Sequence, residues 1–144
     1  MAPKKTPTRF EPRNSATQYL RKAEEFLRAA LDDLVARRWN AAALAAIHAA
    51  IAGADAVLVF RSGRRSASHR HEDVVDLLAA GVPAEAAPLN HLRRVLGKKN
   101  LVEYESRLFS QREAQETVQH GERFLGWART QVPPSSASSN RRQA

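Results

Sequence analysis

Residues 39–60 read WNAAALAAIHAAIAGADAVLVF, a stretch dominated by alanine in which only His48 and Asp55 are ionisable. The part from 41 to 60 is long enough to cross a membrane, but alanine inserts weakly and two ionisable side chains would be costly in lipid. Five apolar residues that form one stripe follow helical spacing, which predicts the buried central helix of a helical bundle. They are Leu44, Ile47, Ile51, Ala54 and Leu58.

Helical spacing continues on both sides of this segment. Upstream, a helix is predicted to begin at Ser15, because Ser15 and Gln18 match a capping box. Arg37 and Arg38 suit the negative end of that helix. Downstream, Gly63 is predicted to end the central helix in the left-handed conformation.

Three more helices are predicted towards the C-terminus. A short one runs from 71 or 72 to 80, a second covers 88–98, and the last begins at Ser110, where Ser110 and Glu113 form a capping box. Residues 99–109 are predicted to form a connection, and no segment alternates as a strand would. This order predicts an all-α, up-and-down bundle of four to five helices.

The two ends of the chain differ from the bundle in composition. Residues 1–14 and 133–144 are rich in proline and polar residues, so we expect disordered tails around a folded domain of residues 15–132. The first 14 residues contain no apolar stretch typical of a secretory signal. The chain has no cysteine, which excludes disulfides, thiolate zinc sites and cysteine nucleophiles. We therefore expect a cytoplasmic protein.

The net charge of +8 favours an anionic partner, although +3 of it lies in residues 1–14 and +2 in residues 133–144. A basic loop after the central helix is the densest cluster inside the domain. It contains Arg61, Arg64, Arg65, His69, Arg70 and His71. The loop is either a phosphate contact or a solvated segment, and it has no aromatic residue for base stacking.

The histidines of this loop do not predict a metal site. His69, His71, Glu72 and Asp73 match no strong ligand spacing, and the neighbouring arginines disfavour a cation. The chain also lacks a phosphate-binding glycine loop, a nucleophile elbow and a dinucleotide fingerprint. We expect neither a metal nor another cofactor.

Three stretches resemble the HEPN (higher eukaryotes and prokaryotes nucleotide-binding) family. Residues 19–27 look like its opening helix, residues 39–56 like its second helix, and residues 92–104 like the segment before its last helix. The resemblance spans residues 17–130 and implies a helical fold that forms homodimers. It also implies binding of RNA, DNA or a nucleotide, in a toxin–antitoxin or defence system.

Many members of this family are metal-independent ribonucleases with an Arg, four to six residues, and a His. Lys99 stands at the position of that Arg and Tyr104 at that of the His, while Asn100 matches the Asn that often follows the Arg. Lysine keeps the charge but loses the bidentate guanidinium, and a tyrosine with a pKa near ~10 is a poor proton acceptor at neutral pH. Glu103 is an alternative base, but its charge would repel a phosphate. The motif is therefore degenerate, and Lys99, Glu103 and Tyr104 are only weak catalytic candidates.

Two further features are open to interpretation. His48 and Asp55 lie two turns apart on one helix face, where they are either hydrogen-bonded to a neighbouring helix or form the wall of a cleft. Phe124, Trp127 and the alanine-rich central helix are candidates for an apolar dimer surface.

The first functional hypothesis is a binding module without strong catalysis, in which Arg64, Arg65, Lys99 and Asn100 contact the anion. The second is an active ribonuclease that uses Tyr104, Glu103 or a histidine brought in from elsewhere. The third is an interaction module for a protein such as a nucleotidyltransferase. A histidine beside Lys99 in the folded protein would favour the second.

Overall fold

The computed structural model describes residues 7–67, 72–81 and 86–133, and it is an all-α bundle as predicted. Five longer helices and one short helix account for most of it. They are α1 (Ala16–Val35), α2 (Trp39–Ser62), α3 (Glu72–Gly81), α4 (Ala86–Leu96), α5 (Lys99–Tyr104) and α6 (Gln111–Gln131). Two short strands, β1 (Thr8–Phe10) and β2 (Arg64–Ser66), complete the described part of the chain.

The alanine-rich α2 forms the centre of the bundle, and the other five helices all pack against it or against its neighbours. Small residues let the helices approach closely. A Cβ atom on Gly53 would lie 3.2 Å from Leu125 Cδ1, and one on Gly121 would lie 3.5 Å from the Cβ of Ala46. The core is therefore built from close helix contacts as well as from large side chains.

Among the described residues, α2 alone is long and apolar enough to cross a membrane. Its most apolar stretch is 72% buried inside the bundle, with a nearly continuous run of buried residues from Ala42 to Val59. This helix has the burial of a core helix, in agreement with the sequence interpretation.

The structure contains two short strands, although the sequence analysis predicted none. β1 lies within residues 1–14 and pairs antiparallel with β2, with Arg9 opposite Arg65. The backbone of Glu11 adds a bond by donating to the carbonyl of Gly63 at 2.9 Å. Three-residue strands are too short to produce a visible alternation, and their stability comes from backbone pairing with a distant segment.

The predicted helix ends were correct at Ser110 and Gly63 and wrong at Ser15. Ser110 caps α6 in a complete capping box, and Gly63 ends α2 with a φ of 67°, both as predicted. Ser15 makes no capping hydrogen bond, because a preceding 3-10 turn (Arg13–Ser15) holds it at φ −69° and ψ −17°, where its side chain cannot act as an N-cap.

The segment 99–109 was predicted to be a connection without helix, but its first part is helical. Residues Lys99–Tyr104 form α5, supported by a salt bridge between Lys99 and Glu103 one turn apart. α4 begins two residues before Pro88 and ends at Leu96, two residues before the predicted end at 98. His69, Arg70 and His71 lie outside the described residues.

Candidate nucleic-acid interface

The position of the family motif is on α5, where Lys99 has an internal partner. Its Nζ lies 2.9 Å from Glu103 Oε2 and 5.6 Å from the ring centre of Tyr104. The hydrogen bond from Lys99 lowers the pKa of Glu103, so this carboxyl is ionised at neutral pH. Tyr104 is 74% exposed and Asn100 is also at the surface. The lysine therefore compensates a carboxylate of its own helix.

The structure brings one of the two cleft-wall candidates to this motif. His48 on α2 is close enough to Glu103 for its charge to contribute to the lowered pKa of that carboxyl. The His48 ring also packs on Phe26, with ring centres 5.4 Å apart. A histidine thus lies within electrostatic range of Glu103 on α5, the helix that carries Lys99 and Tyr104, and the ribonuclease hypothesis requires a histidine at this motif.

Asp55, the other cleft-wall candidate, faces a different set of residues. Its carboxylate is 5% exposed and lies 3.7 Å from the guanidinium of Arg65. Burial raises the pKa of Asp55 to about 6, against the opposing effect of Arg65. Arg65 also donates to the hydroxyl of Tyr19 at 3.0 Å, and that hydroxyl donates to Glu11 at 3.0 Å. Asp55 is therefore partnered through a network that joins β2 to α1 and α2.

The two arginines of the basic loop consequently differ in accessibility. Arg65 is held by Asp55 and Tyr19, and its Nε is buried without a hydrogen-bond partner. Arg64 is exposed, with its guanidinium 5.6 Å from the ring centre of Phe10. Only Arg64 of this pair presents its charge to solvent.

A basic groove between α4 and α6 was missed by the sequence analysis. It encloses about 350 Å³. Its lining consists of Arg93, Arg94, Gly97, Lys98, Glu116, Thr117 and His120. Arg93 and Arg94 lie opposite the apolar face of α4, a pattern that sequence reasoning treats as an ordinary solvated face. The partner helix α6 turns that face into the side of a groove.

The sequence analysis also missed a pair of histidines, one of which lines this groove. His91 on α4 and His120 on α6 have their Nδ1 atoms 2.8 Å apart and their ring centres 5.1 Å apart. Burial lowers the pKa of both imidazoles, and the charges of Arg94 and Arg123 lower them further. The pair is therefore neutral at pH 7 although it lies among arginines.

The residues predicted as a dimer surface are used inside the subunit. Phe124 is fully buried, Trp127 is partly buried against the core, and α2 is enclosed by the other helices. Other apolar side chains are exposed instead, including Leu108 at 75%.

Within the described residues, no three His, Asp or Glu side chains come together as metal ligands.

Comparisons with known proteins agree with this architecture. The crystal structure of TT1696 from Thermus thermophilus superposes with a TM-score of 0.69, covers 83% of this chain and 99% of its own, and is 20% identical. No curated protein sequence matches. The HEPN domain family model matches residues 16–131, which is nearly the entire helical bundle. The chain belongs to the HEPN domain family.

Proposed function

We propose that this HEPN domain binds RNA through the basic groove between α4 and α6. The observation that carries the proposal is the convergence of Arg93, Arg94 and Lys98 on one groove of about 350 Å³. Phosphate contacts from Lys and Arg supply most of the sequence-independent affinity for nucleic acid. Asn100, exposed on α5 two positions after Lys98, would extend these contacts.

The cations of the groove are better placed for this role than Arg65 and Lys99. Arg93 and Arg94 are exposed, and no described acidic side chain forms a salt bridge with either of them. The one carboxylate in the groove belongs to Glu116, whose Oε1 accepts from Arg112 Nε at 3.0 Å. The net field of the groove is therefore positive, as phosphate binding requires.

Strong RNA cleavage at the motif position is not part of this proposal. Lys99 is neutralised by Glu103, and the exposed Tyr104 stands where the family motif has its histidine. The proximity of His48 to Glu103 favours one second candidate, a metal-independent ribonuclease with His48 as the proton-transfer group. Incubation of labelled total RNA with the wild-type, Lys99→Ala and His48→Ala proteins separates the two. Intact RNA with all three supports the binding module, and cleavage lost in both variants supports the ribonuclease.

Homodimer formation is a further part of the proposal. Tyr104 and Leu108, at 74% and 75% exposure, lie beside the motif position, where the family resemblance places the partner. Exposed large apolar side chains are costly unless they are covered in an assembly. A toxin–antitoxin or defence role is still a prediction from the resemblance alone.

Binding is tested with a fluorescent single-stranded RNA and two double charge reversals. Arg93→Glu/Lys98→Glu removes cations of the groove. Arg21→Glu/Arg28→Glu makes the same change in net charge on α1, which packs on α2 and α6. We expect the groove variant to lose RNA affinity by an order of magnitude or more while the α1 variant loses far less. Equal losses in the two variants would reject the groove as the binding surface.

A further inference from the structure

The histidine pair beside the groove has no role in the function proposed above. A distance of 2.8 Å between the two Nδ1 atoms is that of a hydrogen bond, so one ring donates from Nδ1 and the other accepts. His120 also lines the groove with Arg93, Arg94 and Lys98. The pair is therefore a proton-carrying group in contact with the surface at which we place the RNA backbone.

We propose that this groove is a proton-linked phosphate site, in which the His91–His120 pair takes up one proton when a backbone phosphate of RNA binds. The inference rests on the proposed RNA binding and adds a regulation of it by pH. RNA would bind more tightly in mildly acidic than in mildly basic solution.

The hydrogen bond between the two Nδ1 atoms limits how many protons the histidine pair can take up. In the neutral pair, one proton lies between the Nδ1 atoms and a second is on Nε2 of the accepting ring. A further proton can be added on Nε2 of the donating ring without disturbing this bond. Any additional proton would have to go to the accepting Nδ1 and would break the bond. The intact pair can thus take up one proton and no more.

The surrounding charges explain why binding would add that proton. Without RNA, Arg94 and Arg123 surround the pair and oppose its protonation, together with its burial. A phosphate anion in the groove offsets this positive field and attracts the imidazolium. Because linkage is reciprocal, a ligand that raises the pKa of the pair binds more tightly as protons become available.

The remaining charged groups near the pair do not oppose this effect. The charge of Glu116 on α6 acts to raise the pKa of His120, but the Glu116 carboxylate already accepts a hydrogen bond from Arg112. On the α3 side of α4, Asp76 lines a separate depression with Arg93.

The titratable side chains of α2, which also packs against α4, contact other parts of the molecule. His48 packs on Phe26, Asp55 pairs with Arg65, and Arg61 donates to Gln131. Arg94 and Arg123 are therefore the charges that set the behaviour of the pair.

The same geometry disfavours a metal ion between the histidines. Two nitrogens on a tetrahedral zinc with bonds of about 2.0–2.1 Å lie roughly 3.3 Å apart. The Nδ1 atoms are 2.8 Å apart, and the charges of Arg94 and Arg123, which act on both rings, repel cations. An anion is the ligand that this environment favours.

The experiment measures the affinity of the full chain for a labelled single-stranded RNA at constant ionic strength between about pH 5.5 and pH 8. RNA is a suitable probe because its phosphodiester keeps one fixed charge across this range, whereas inorganic phosphate itself titrates. The wild type is compared with His91→Gln and His120→Gln, two partly buried positions at which glutamine keeps hydrogen-bonding capacity. Calorimetry in two buffers of different ionisation enthalpy counts the protons taken up.

We expect the wild-type affinity to rise as the pH falls, with a slope approaching tenfold per pH unit and an uptake approaching one proton. Both variants should show a much shallower slope and little proton uptake, whatever their affinity near pH 8. If the wild type binds RNA with the same slope as the variants and without proton uptake, the proton-linked site is wrong and RNA binding stands. If the wild type binds no RNA at any pH, the proposed function itself fails.

Discussion

The guanidinium of Arg65 lies 3.7 Å from the buried carboxylate of Asp55, and this contact joins the β-strand pair to the central helix. Tyr19 extends the connection, because its hydroxyl accepts from Arg65 and donates to Glu11, each at 3.0 Å. A charged residue on the most apolar helix of the protein thus anchors a segment that composition alone assigns to a tail. The carboxylate is nevertheless mostly desolvated, so its charge is held at a cost in free energy.

Replacing Asp55 by Asn should stabilise the protein at neutral pH. The pKa of Asp55 is raised from 3.8 to about 6 in the folded state. Preferential protonation of the folded state therefore stabilises the protein fully below about pH 4, and this stabilisation is lost as the pH rises through 6. The asparagine side chain would resemble the protonated acid at every pH. We expect a gain of about 2–3 kcal/mol in the free energy of unfolding near pH 7.5, and little gain near pH 4. Urea denaturation at both pH values measures it.

The matched control is Asp32→Asn, at an exposed position on α1. It should change stability by a few tenths of a kcal/mol with no such dependence on pH. A loss of stability in Asp55→Asn at both pH values would show that Arg65 requires an ionised partner, contrary to this account.

Ser110→Ala should destabilise the protein and Ser15→Ala should not. The Ser110 side chain accepts from the backbone of Glu113 at 3.1 Å in a complete capping box, whereas Ser15 makes no capping bond. Loss of such a cap costs about 1 kcal/mol. Thermal unfolding of both variants checks the difference, and equal shifts in Tm would contradict the assignment of the caps.

Two glycine substitutions should act in opposite directions. Gly63 has a φ of 67°, so Gly63→Ala is expected to cost about 1 kcal/mol. Gly126 lies within α6 with no atom within 4 Å of an added Cβ, so Gly126→Ala should gain roughly 0.5–1 kcal/mol from helix propensity. Denaturant unfolding of both variants measures the signs, and destabilisation by Gly126→Ala would reject the packing of that face.

Leu108→Asp should weaken self-association. Leu108 is 75% exposed and follows α5, so a carboxylate there would leave the subunit fold intact and be buried only in an assembly. Sedimentation equilibrium should show a dimer for the wild type and a shift towards monomer for the variant, while Arg28→Asp on α1 keeps the dimer. A wild type that stays monomeric at tens of micromolar would overturn the homodimer proposal.

Most of the fold could be predicted from the sequence, because helical spacing is a local signal. Ser110 and Gly63 marked their helix ends correctly, since the capping box and the left-handed glycine each depend on a few adjacent residues. Ser15 has the same local pattern but was assigned wrongly, because the 3-10 turn before it packs against the distant α2, where Arg13 donates to the carbonyl of Arg61 at 3.3 Å. The strands were missed for the same reason.

The candidate site was less predictable because its parts are far apart along the chain. His91 and His120 are separated by 29 positions on two helices, so no motif spacing could pair them. Arg65 was predicted as an anion contact from the charge of its loop and Lys99 from its position in the family motif, and the structure gives each an acidic partner. Arg65 obtains its partner from α2 through a tertiary contact, whereas Glu103 lies one turn from Lys99 on a helix that was not predicted.

The salt dependence of RNA affinity tests the central claim most directly. The logarithm of the affinity of wild type and of Arg93→Ala/Lys98→Ala for a single-stranded RNA would be measured against the logarithm of salt concentration. Each lost phosphate contact should reduce the slope by about 0.7, so we expect the variant to bind more weakly with a slope shallower by roughly 1.4. A variant with the wild-type affinity and slope would show that RNA does not bind in the α4–α6 groove.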